Sequence, residues 1–286
     1  MVNWAAFKAA VSYNFDDSNS SQLSNYAALK ALGVHFTFYV WGQKITQGPE
    51  SAWASVAEDG HELGNHTWDH TDANMSQEDV DECQQAVKTD FGITTYTFAA
   101  PNGTAGWAQY AKTHHFMDRG VADGLMMPGN DSAPSPWALY CYIPPMGAPT
   151  SDFNSEVDGA RSGGGWRVIL VHGFIGGTDG AYQPVDIGQY TAGVTYAKSF
   201  PDLWIDTMLS VGAYWLGQIS FNAATKTPSG TSTKYTWTLP ANFPPNRYLR
   251  VTLTGGNITQ NGATVPWDTH GYYEIALDPG TLTVGP

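Results

Sequence analysis

The feature that most constrains the fold is a regular alternation of short β-like runs with helical stretches, from the start of the chain to about Gln218. Ala9 to Phe15 predicts a first strand, and Val34 to Gly42, almost wholly apolar or β-branched, predicts a second. Trp166 to Phe174 predicts the most strongly buried strand. Repeated βα units of this kind indicate a mainly parallel sheet, either open or closed as a barrel.

Helical spacing fills the intervals between these runs. The clearest helix is predicted from Met75 to Gly92, with Ser76 at its start and a glycine as its stop. Further helices are predicted from Ser21 to Gly33 and from Pro49 to Gly60. Residues Leu125 to Asp152 are rich in Pro and Gly and have no period, so we expect a long loop there, of the kind that often covers a site.

The character of the chain changes after Gln218. Short alternating segments separated by Gly, Pro and Asn turns predict a small antiparallel β module from Ser220 to Pro286. We therefore expect an α/β domain over residues 1–218 and a small β-rich module over 219–286. The module could bind sugars or serve as a packing appendage, and the lack of any site-like cluster in it favours the appendage.

Composition excludes some classes of partner. The net charge of −13, with only 13 Lys plus Arg, argues against nucleic acid and anionic membranes. No apolar run approaches the roughly 18 residues of a membrane span. The 11 Trp and 15 Tyr suit proteins that bind neutral sugars outside the cell, so we expect a secreted or cell-surface monomer, although no signal peptide is visible.

The chain has two cysteines, Cys83 and Cys141, which do not form a CxxC motif. The sequence is compatible either with one disulfide between them or with two separate thiols.

The chemistry begins at Asp16 and Asp17, which end the first predicted strand. Two adjacent carboxylates are costly without a nearby cation. Downstream, His66 and His70 are four apart, which on a helix would place them about 40° apart on one face, as two ligands of one metal. A zincin motif starting at His61 is excluded, because the next histidine follows at a spacing of five.

Taken together, these residues predict a three-ligand metal site with an open fourth position, at which a water could be deprotonated at neutral pH. The second carboxylate of the pair could act as general base on that water. His172 ends the late strand Trp166 to Phe174 and would reach the same rim of the sheet, where it could protonate a leaving group.

In this order and at these intervals, the segments "NFDDS", "HTWDH", "FAAPNG" and "ILVHG" resemble the polysaccharide deacetylase family, also known as the NodB-homology domain or carbohydrate esterase family 4. The resemblance covers roughly Val11 to Gln218. It implies an α/β fold, a distorted (β/α) barrel, here followed by the small antiparallel β module. It also implies removal of acetyl groups from sugar polymers with a divalent metal, most often Zn2+, with Co2+ or Ni2+ as alternatives.

The resemblance also implies roles by position. Asp16 matches the general base and His172 the general acid, while Leu170 matches the residue lining the pocket for the acetyl methyl. The backbone N–H of Asn102 would complete an oxyanion hole. The metal ligands would be Asp17, His66 and His70.

One position departs from the family pattern. Ala99 stands where the family has an Arg that pairs with the base carboxylate. By topology, Arg119 on the next strand is the nearest replacement, with a surface salt bridge as the alternative. The family's acidic residue that tunes the general acid has only a weak match, at Asp123.

The sequence thus predicts a metal-dependent hydrolase that removes N- or O-linked acetyl groups from a carbohydrate polymer or oligomer by attack of a metal-bound water. The alternative is a non-catalytic carbohydrate-binding protein on a degenerate deacetylase fold, which the departure at Ala99 motivates. A serine hydrolase is not supported, because the sequence has no GxSxG.

Overall fold

The structure is a computed structural model that describes residues 1–47, 50–130 and 132–286. One large sheet contains the strands β1 Ala9–Phe15, β2 Thr37–Val40, β3 Glu62–Asn65, β4 Thr97–Ala99, β5 Met117–Arg119, β6 Trp166–Val171 and β7 Leu203–Ile205. The helices are α1 Ser20–Ser24, α2 Tyr26–Lys30, α3 Gly42–Gln47, α4 Glu50–Glu58, α5 Gln77–Phe91, α6 Ala108–Ala111, α7 Thr150–Gly163, α8 Ile187–Lys198 and α9 Met208–Asn222.

All pairings in the large sheet are parallel, in the order β5-β4-β3-β2-β1-β6, and β7 runs beside the first residues of β1. The gap between β5 and β6 is bridged by part of the predicted loop. Leu139 forms a parallel bridge with Arg119, and Tyr142 forms one with Ile169. The sheet therefore curls into the distorted (β/α) barrel that the sequence predicted, and this fold class is confirmed.

Strand β1 is central and is buried along its whole length. Every second residue of the strand from Val11 is apolar. These residues, Val11, Tyr13 and Phe15, pack in a core with α2, α4, α5, α7 and α8. The opposite face of the sheet packs against α9 through a second core that includes Trp166 and Trp215. Because side chains alternate along a strand, the polar Ser12, Asn14 and Asp16 belong to this second face.

Local signals decide where the helices begin and end. Ser76 accepts a hydrogen bond from the Asp79 backbone N–H at the start of α5, and Gly92 ends that helix with a φ of 69°.

Other helices differ from the sequence predictions. The prediction of a single helix from Ser21 to Gly33 is wrong, because the helix is interrupted at Asn25 and forms two short helices, α1 and α2. Helix α7 was not predicted. The helix predicted from Pro49 to Gly60 corresponds to α4, Glu50–Glu58. Pro49 itself lies outside the described residues.

After the barrel, the chain forms two antiparallel sheets. The strands are β8 Thr225–Ser229, β9 Ser232–Thr236, β10 Tyr248–Val251, β11 Asn257–Gln260, β12 Ala263–Thr264, β13 Trp267–Asp268, β14 Tyr272–Ala276 and β15 Thr281–Gly285. Helix α9 runs past the boundary predicted at residue 218 and shares a core with these sheets through Tyr214, Leu249 and Ile275.

The two cysteines are separate. Cys83 and Cys141 are buried thiols, which settles the alternative that the sequence left open in favour of two unrelated residues. In the described parts of the chain, no helix is long and apolar enough to cross a membrane.

Candidate active site

Four strands deliver polar residues to one edge of the sheet. Asp16 and Asp17 follow β1, His66 follows β3, Arg119 ends β5 and His172 follows β6. Because the strands are parallel, their carboxyl ends meet at the same edge. All of these residues line one cavity of about 310 Å³, which is completed by His70, Ala100, Asn102, Gly103, Val121, Ile143 and Tyr182.

Three side chains in this cavity form a compact ligand set. Asp17 Oδ1 lies 3.3 Å from His66 Nε2 and 3.1 Å from His70 Nε2, and the two Nε2 atoms are 3.2 Å apart. Ligand atoms at about 2.0–2.1 Å from a tetrahedral Zn2+ are separated by about 3.3–3.4 Å. The three atoms are therefore spaced like one face of a tetrahedral metal site, and among the described residues they are a group that could hold a metal ion.

The orientation of His66 supports this arrangement. Its Nδ1 lies 2.7 Å from the Ala99 carbonyl oxygen. A carbonyl can only accept, so Nδ1 carries the proton and Nε2 presents its lone pair to the cluster. Metal-ligating histidines commonly hold their second ring nitrogen in this way. The His70 ring is stacked on Trp41, with centroids 4.8 Å apart.

The helical placement expected for His66 and His70 is wrong. Both follow β3 in an irregular segment, in which Thr67 and His70 have φ values of 67° and 56°. Side chains shape this segment: Asn65 Oδ1 accepts from the Thr67 N–H, and Thr67 Oγ1 accepts from the His70 N–H. The spacing of four thus brings both imidazoles together through a side-chain-supported turn.

Burial and mutual contact act on the ionisation of this cluster. Burial opposes the charged form of Asp17, but close contact with the imidazoles of His66 and His70 outweighs it and holds the pKa of the Asp17 carboxyl well below its usual range. For His70, burial lowers the pKa, yet the contact with Asp17 prevails and raises it. The cluster therefore keeps a carboxylate charged in a sheltered place, which favours a bound cation.

Arg119 contacts Asp16 directly. Its Nη2 donates a hydrogen bond to Asp16 Oδ2, and both side chains are almost fully buried, with exposed fractions of 1% and 3%. A surface salt bridge for Arg119 is therefore wrong. Its guanidinium reaches the carboxylate from β5, the strand next to β4, on which the fully buried Ala99 pairs in register with Arg119. The other oxygen of this carboxylate, Oδ1, has no hydrogen-bond partner among the described residues.

His172 follows β6, which pairs with β1 in a register that places Phe15 opposite Val171, so His172 and Asp16 leave the sheet side by side. The backbone carbonyl of His172 accepts from the side chains of Asn19 and Gln22, and its ring nitrogen Nδ1 has no partner among the described residues. Burial lowers its pKa, while the charges of Asp16 and Asp17 oppose this shift. The weak match at Asp123 is wrong as a partner for His172, because this carboxylate contacts Arg167 Nη1 at 2.6 Å.

The "FAAPNG" segment borders the cavity through Asn102, whose φ is 54°. A residue that sequence reasoning missed holds this segment in place. Asp72 accepts hydrogen bonds from Asn102 Nδ2, Thr104 Oγ1 and Trp107 Nε1, at 3.1, 2.7 and 2.8 Å. The sequence did contain a signal for Asp72: it is a carboxylate two residues after the predicted ligand His70, in "HTWDHTD".

Leu170 is placed differently from the other expected site residues. It is fully buried on β6, in the second core, and is not among the residues lining the cavity. The apolar part of the lining comes instead from Val121, Ile143 and Tyr182. Ile143 follows the segment that bridges β5 and β6, so part of the loop predicted from Leu125 to Asp152 does border the site.

The fold and the site together define a parallel α/β barrel protein with an Asp–His–His cluster suited to a divalent metal. Residues 6–114 match the family model "Polysaccharide deacetylase". This match confirms the resemblance to the polysaccharide deacetylase family that the motifs indicated.

Two curated proteins are similar to part of this chain. The peptidoglycan-N-acetylglucosamine deacetylase PgdA of Listeria monocytogenes is 31% identical over 90 residues, which is 30% of this chain and 19% of that protein. The uncharacterised protein YlxY of Bacillus subtilis is 29% identical over 76 residues, 25% of this chain and 24% of that protein. The matches thus span about a quarter or less of these curated relatives.

Two crystal structures share the fold. A Mycobacterium smegmatis protein assigned to the polysaccharide deacetylases aligns with a TM-score of 0.57 at 17% identity, over 76% of this chain and 93% of that one. The Xyl-CE4 domain of a multidomain xylanase from the hindgut metagenome of Trinervitermes trinervoides aligns with a TM-score of 0.50 at 20% identity, over 71% and 89%. At these identities the likeness extends to the fold alone.

Proposed function

We propose that this protein is a metal-dependent hydrolase that removes acetyl groups from a carbohydrate polymer or oligomer. Asp17, His66 and His70 would hold the cation. A divalent cation held there would lower the pKa of a water bound to it and would polarise the acetyl carbonyl. The observation that carries the proposal is the 3.1–3.3 Å spacing of the three ligand atoms in a cavity that Asp16 and His172 also line.

Asp16 is proposed as the general base. Its Oδ2 is held by Arg119, and its unpartnered Oδ1 is available to accept a proton from the attacking water. The guanidinium of Arg119 stabilises the charged carboxylate in a buried position, where an unpaired charge would be costly. Arg119 thus takes the role that Ala99 cannot fill, from a neighbouring strand.

His172 is proposed as the general acid. It lies at the end of β6, so that the attacked carbonyl would sit between this imidazole and the Asp17 cluster. A proton on its ring would go to the sugar nitrogen or oxygen as the bond to the acetyl carbon breaks. The backbone N–H of Asn102 would donate to the carbonyl oxygen as negative charge develops there. Because Leu170 lies beneath the lining, we assign the acetyl methyl to the apolar wall formed with Ile143 and Val121.

The test is acetate release from acetylated xylan and from N-acetylglucosamine oligomers, before and after removal of metal with a chelator. We expect release that chelation abolishes and added Zn2+ restores, and no release by the Asp17→Asn variant at any metal loading. Tight sugar binding without acetate release from any substrate, whatever metal is supplied, would favour the non-catalytic alternative.

Three finer points of the proposal concern the metal, the place of action and the β-rich part of the chain. Zn2+ is proposed as the metal, since two imidazoles and one carboxylate suit it. Action outside the cell as a monomer is proposed from the aromatic-rich, lysine-poor composition. The β-rich part after α9 is proposed as a packing appendage, because it shares a core with that helix.

A further inference from the structure

The imidazole of His70 is held differently from that of His66. Nδ1 of His66 is fixed by the Ala99 carbonyl oxygen, whereas Nδ1 of His70 forms no hydrogen bond to another of the residues that the structure describes. Metal-ligating histidines usually hold this nitrogen in such a bond, which fixes the direction of the other nitrogen. His70 also has left-handed backbone geometry, with a φ of 56°. A contact of another kind is therefore needed to orient its ring.

The contact found at this place is an aromatic stack. The ring centroids of Trp41 and His70 are 4.8 Å apart, and the two ring planes differ by 24°. Trp41 is half-buried and is not among the residues that line the cavity of the candidate active site. The indole thus contacts a metal ligand from outside the lining of the cavity.

The backbone at Trp41 is tied to both segments that carry the metal ligands. Trp41 follows β2, which lies between β1 and β3 in the sheet. Its N–H donates to Ser18 Oγ at 3.0 Å, in the segment after β1, and the Gly42 N–H donates to the Thr67 carbonyl oxygen at 2.9 Å, in the segment after β3. Gly42 permits this close approach, because a Cβ there would lie 2.5 Å from Cε3 of Trp68. The indole is therefore attached to a backbone that is fixed relative to all three ligands.

Lys44, in α3, contacts the same indole. Its Nζ lies 4.3 Å from the centre of the Trp41 ring, where the ring electrons attract a cation. Lys44 Nζ also donates to Asn19 Oδ1 at 3.0 Å, so the ammonium is anchored. Nε1 of Trp41 has no hydrogen-bond partner among the described residues. The contacts of the ring, rather than a hydrogen bond through Nε1, therefore decide where the indole lies.

We propose that Trp41 is a positioning residue for the metal ligand His70, with Lys44 holding the indole in place. The inference rests on the metal site proposed above. The stack keeps Nε2 of His70 3.1 Å from Asp17 Oδ1 and 3.2 Å from Nε2 of His66, so a cation meets three ligand atoms already at tetrahedral spacing. Without the stack, metal binding would also have to order the imidazole. Trp41 thus raises the metal affinity without touching the metal.

The experiment measures the Zn2+ affinity of the chelator-stripped protein by competition with a chromophoric chelator, so its readout does not depend on acetate release. Trp41→Leu should weaken binding by about tenfold, the lower end of the range for residues that orient a metal ligand. Trp41→Phe keeps a ring that can stack and should stay within about threefold of the wild type. Trp137→Leu is the matched control and should bind Zn2+ as the wild type does. Trp137 is also half-buried and has a lysine over its ring, Lys112 Nζ at 5.2 Å.

A double-mutant cycle separates positioning of His70 from a general loss of structure. In the His70→Ala background the imidazole that Trp41 orients is gone, so Trp41→Leu should have no further effect on Zn2+ affinity. An equal tenfold loss in that background, or wild-type affinity in Trp41→Leu alone, would overturn the inference. Either result would leave the proposed hydrolase intact.

A measurement on the metal-free wild type does not depend on how well a variant folds. The ring current of the indole should shift the NMR signals of the His70 ring protons upfield, and these signals are assigned by their loss in His70→Ala. Signals at the positions of an unstructured histidine would overturn the inference. If the wild type binds no Zn2+, or His70→Ala binds it as tightly as the wild type, the metal site itself fails and the inference fails with it.

Discussion

Arg119 and Asp16 are 103 positions apart in the chain, yet the guanidinium of one donates directly to the carboxylate of the other inside the barrel. Strands β5 and β1 are separated by three other strands in the sheet, so only the curl of the sheet brings the two side chains together. The Arg119 guanidinium also lies 5.3 Å from the centre of the Tyr39 ring. Position 99 on β4 is an alanine and offers no positive charge to Asp16. Arg119 on β5 supplies that charge instead.

Arg119→Met should lower acetate release at neutral pH by about tenfold or more, because the charged form of Asp16 loses the partner that stabilises it. The acidic limb of the kcat profile should move to higher pH, and Arg119→Lys should fall between the variant and the wild type. The pH profile of kcat measures this directly. An unmoved acidic limb together with an unchanged kcat would rule out the role given to Arg119.

Asp72→Ala should lower kcat by about tenfold while leaving the metal content unchanged. The carboxylate of Asp72 ties down the segment that carries Asn102, and complete loss of one oxyanion-hole donor costs about 10²–10³-fold. The comparison variant is Thr104→Ala, which removes one of the three hydrogen bonds and should have a smaller effect. Full kcat in Asp72→Ala would show that Asn102 does not depend on this anchor.

The folded protein should lose stability as the pH falls below about 6.5, partly through His61. Burial, with the neighbouring His35 adding to it, lowers the pKa of His61 to about 4, and its Nδ1 accepts from the Phe36 N–H. An unfolded histidine titrates near 6.5, so between these values the unfolded state binds a proton that the folded state does not. The free energy of unfolding then decreases by up to about 1.4 kcal/mol per pH unit from this residue.

Urea unfolding at pH 7, 6 and 5 tests this through His61→Asn, whose side-chain oxygen can still accept from Phe36 but does not titrate. The variant should show a shallower dependence of stability on pH than the wild type. His115 is also buried, with a pKa lowered to about 3, and it should account for part of the slope that remains. Identical slopes for variant and wild type would contradict the assignment to His61.

Sequence reasoning succeeded where local pattern and burial agree. Strands β1 and β6 are rich in apolar residues and buried along their whole length, and α5 carries both its start and its stop residues, so each was predicted close to its observed place. The barrel and the family followed from the motifs in order. These signals are either local or repeated along the chain, which is why one sequence was enough to identify them.

The remaining features depend on contacts between distant residues. The turn that brings His70 to His66 is shaped by Thr67, and no helical period reveals it. The stretch from Leu139 to Tyr142 acts as a strand only because β5 and β6 leave a gap between them. Tyr182 had no signal at all, since its position beside His172 follows from a loop held by Ser21. Tertiary contacts override local propensity at each of these places.

The most direct test of the central claim is a titration of chelator-stripped protein with Zn2+, in which metal content and acetate release are followed together. The account predicts that activity rises linearly and saturates at one equivalent of Zn2+ per chain. His66→Ala, His70→Ala and Asp17→Asn should each bind Zn2+ at least about tenfold more weakly and release no acetate in the same range. Full acetate release by the metal-free protein, or by any of these three variants without added metal, would contradict it.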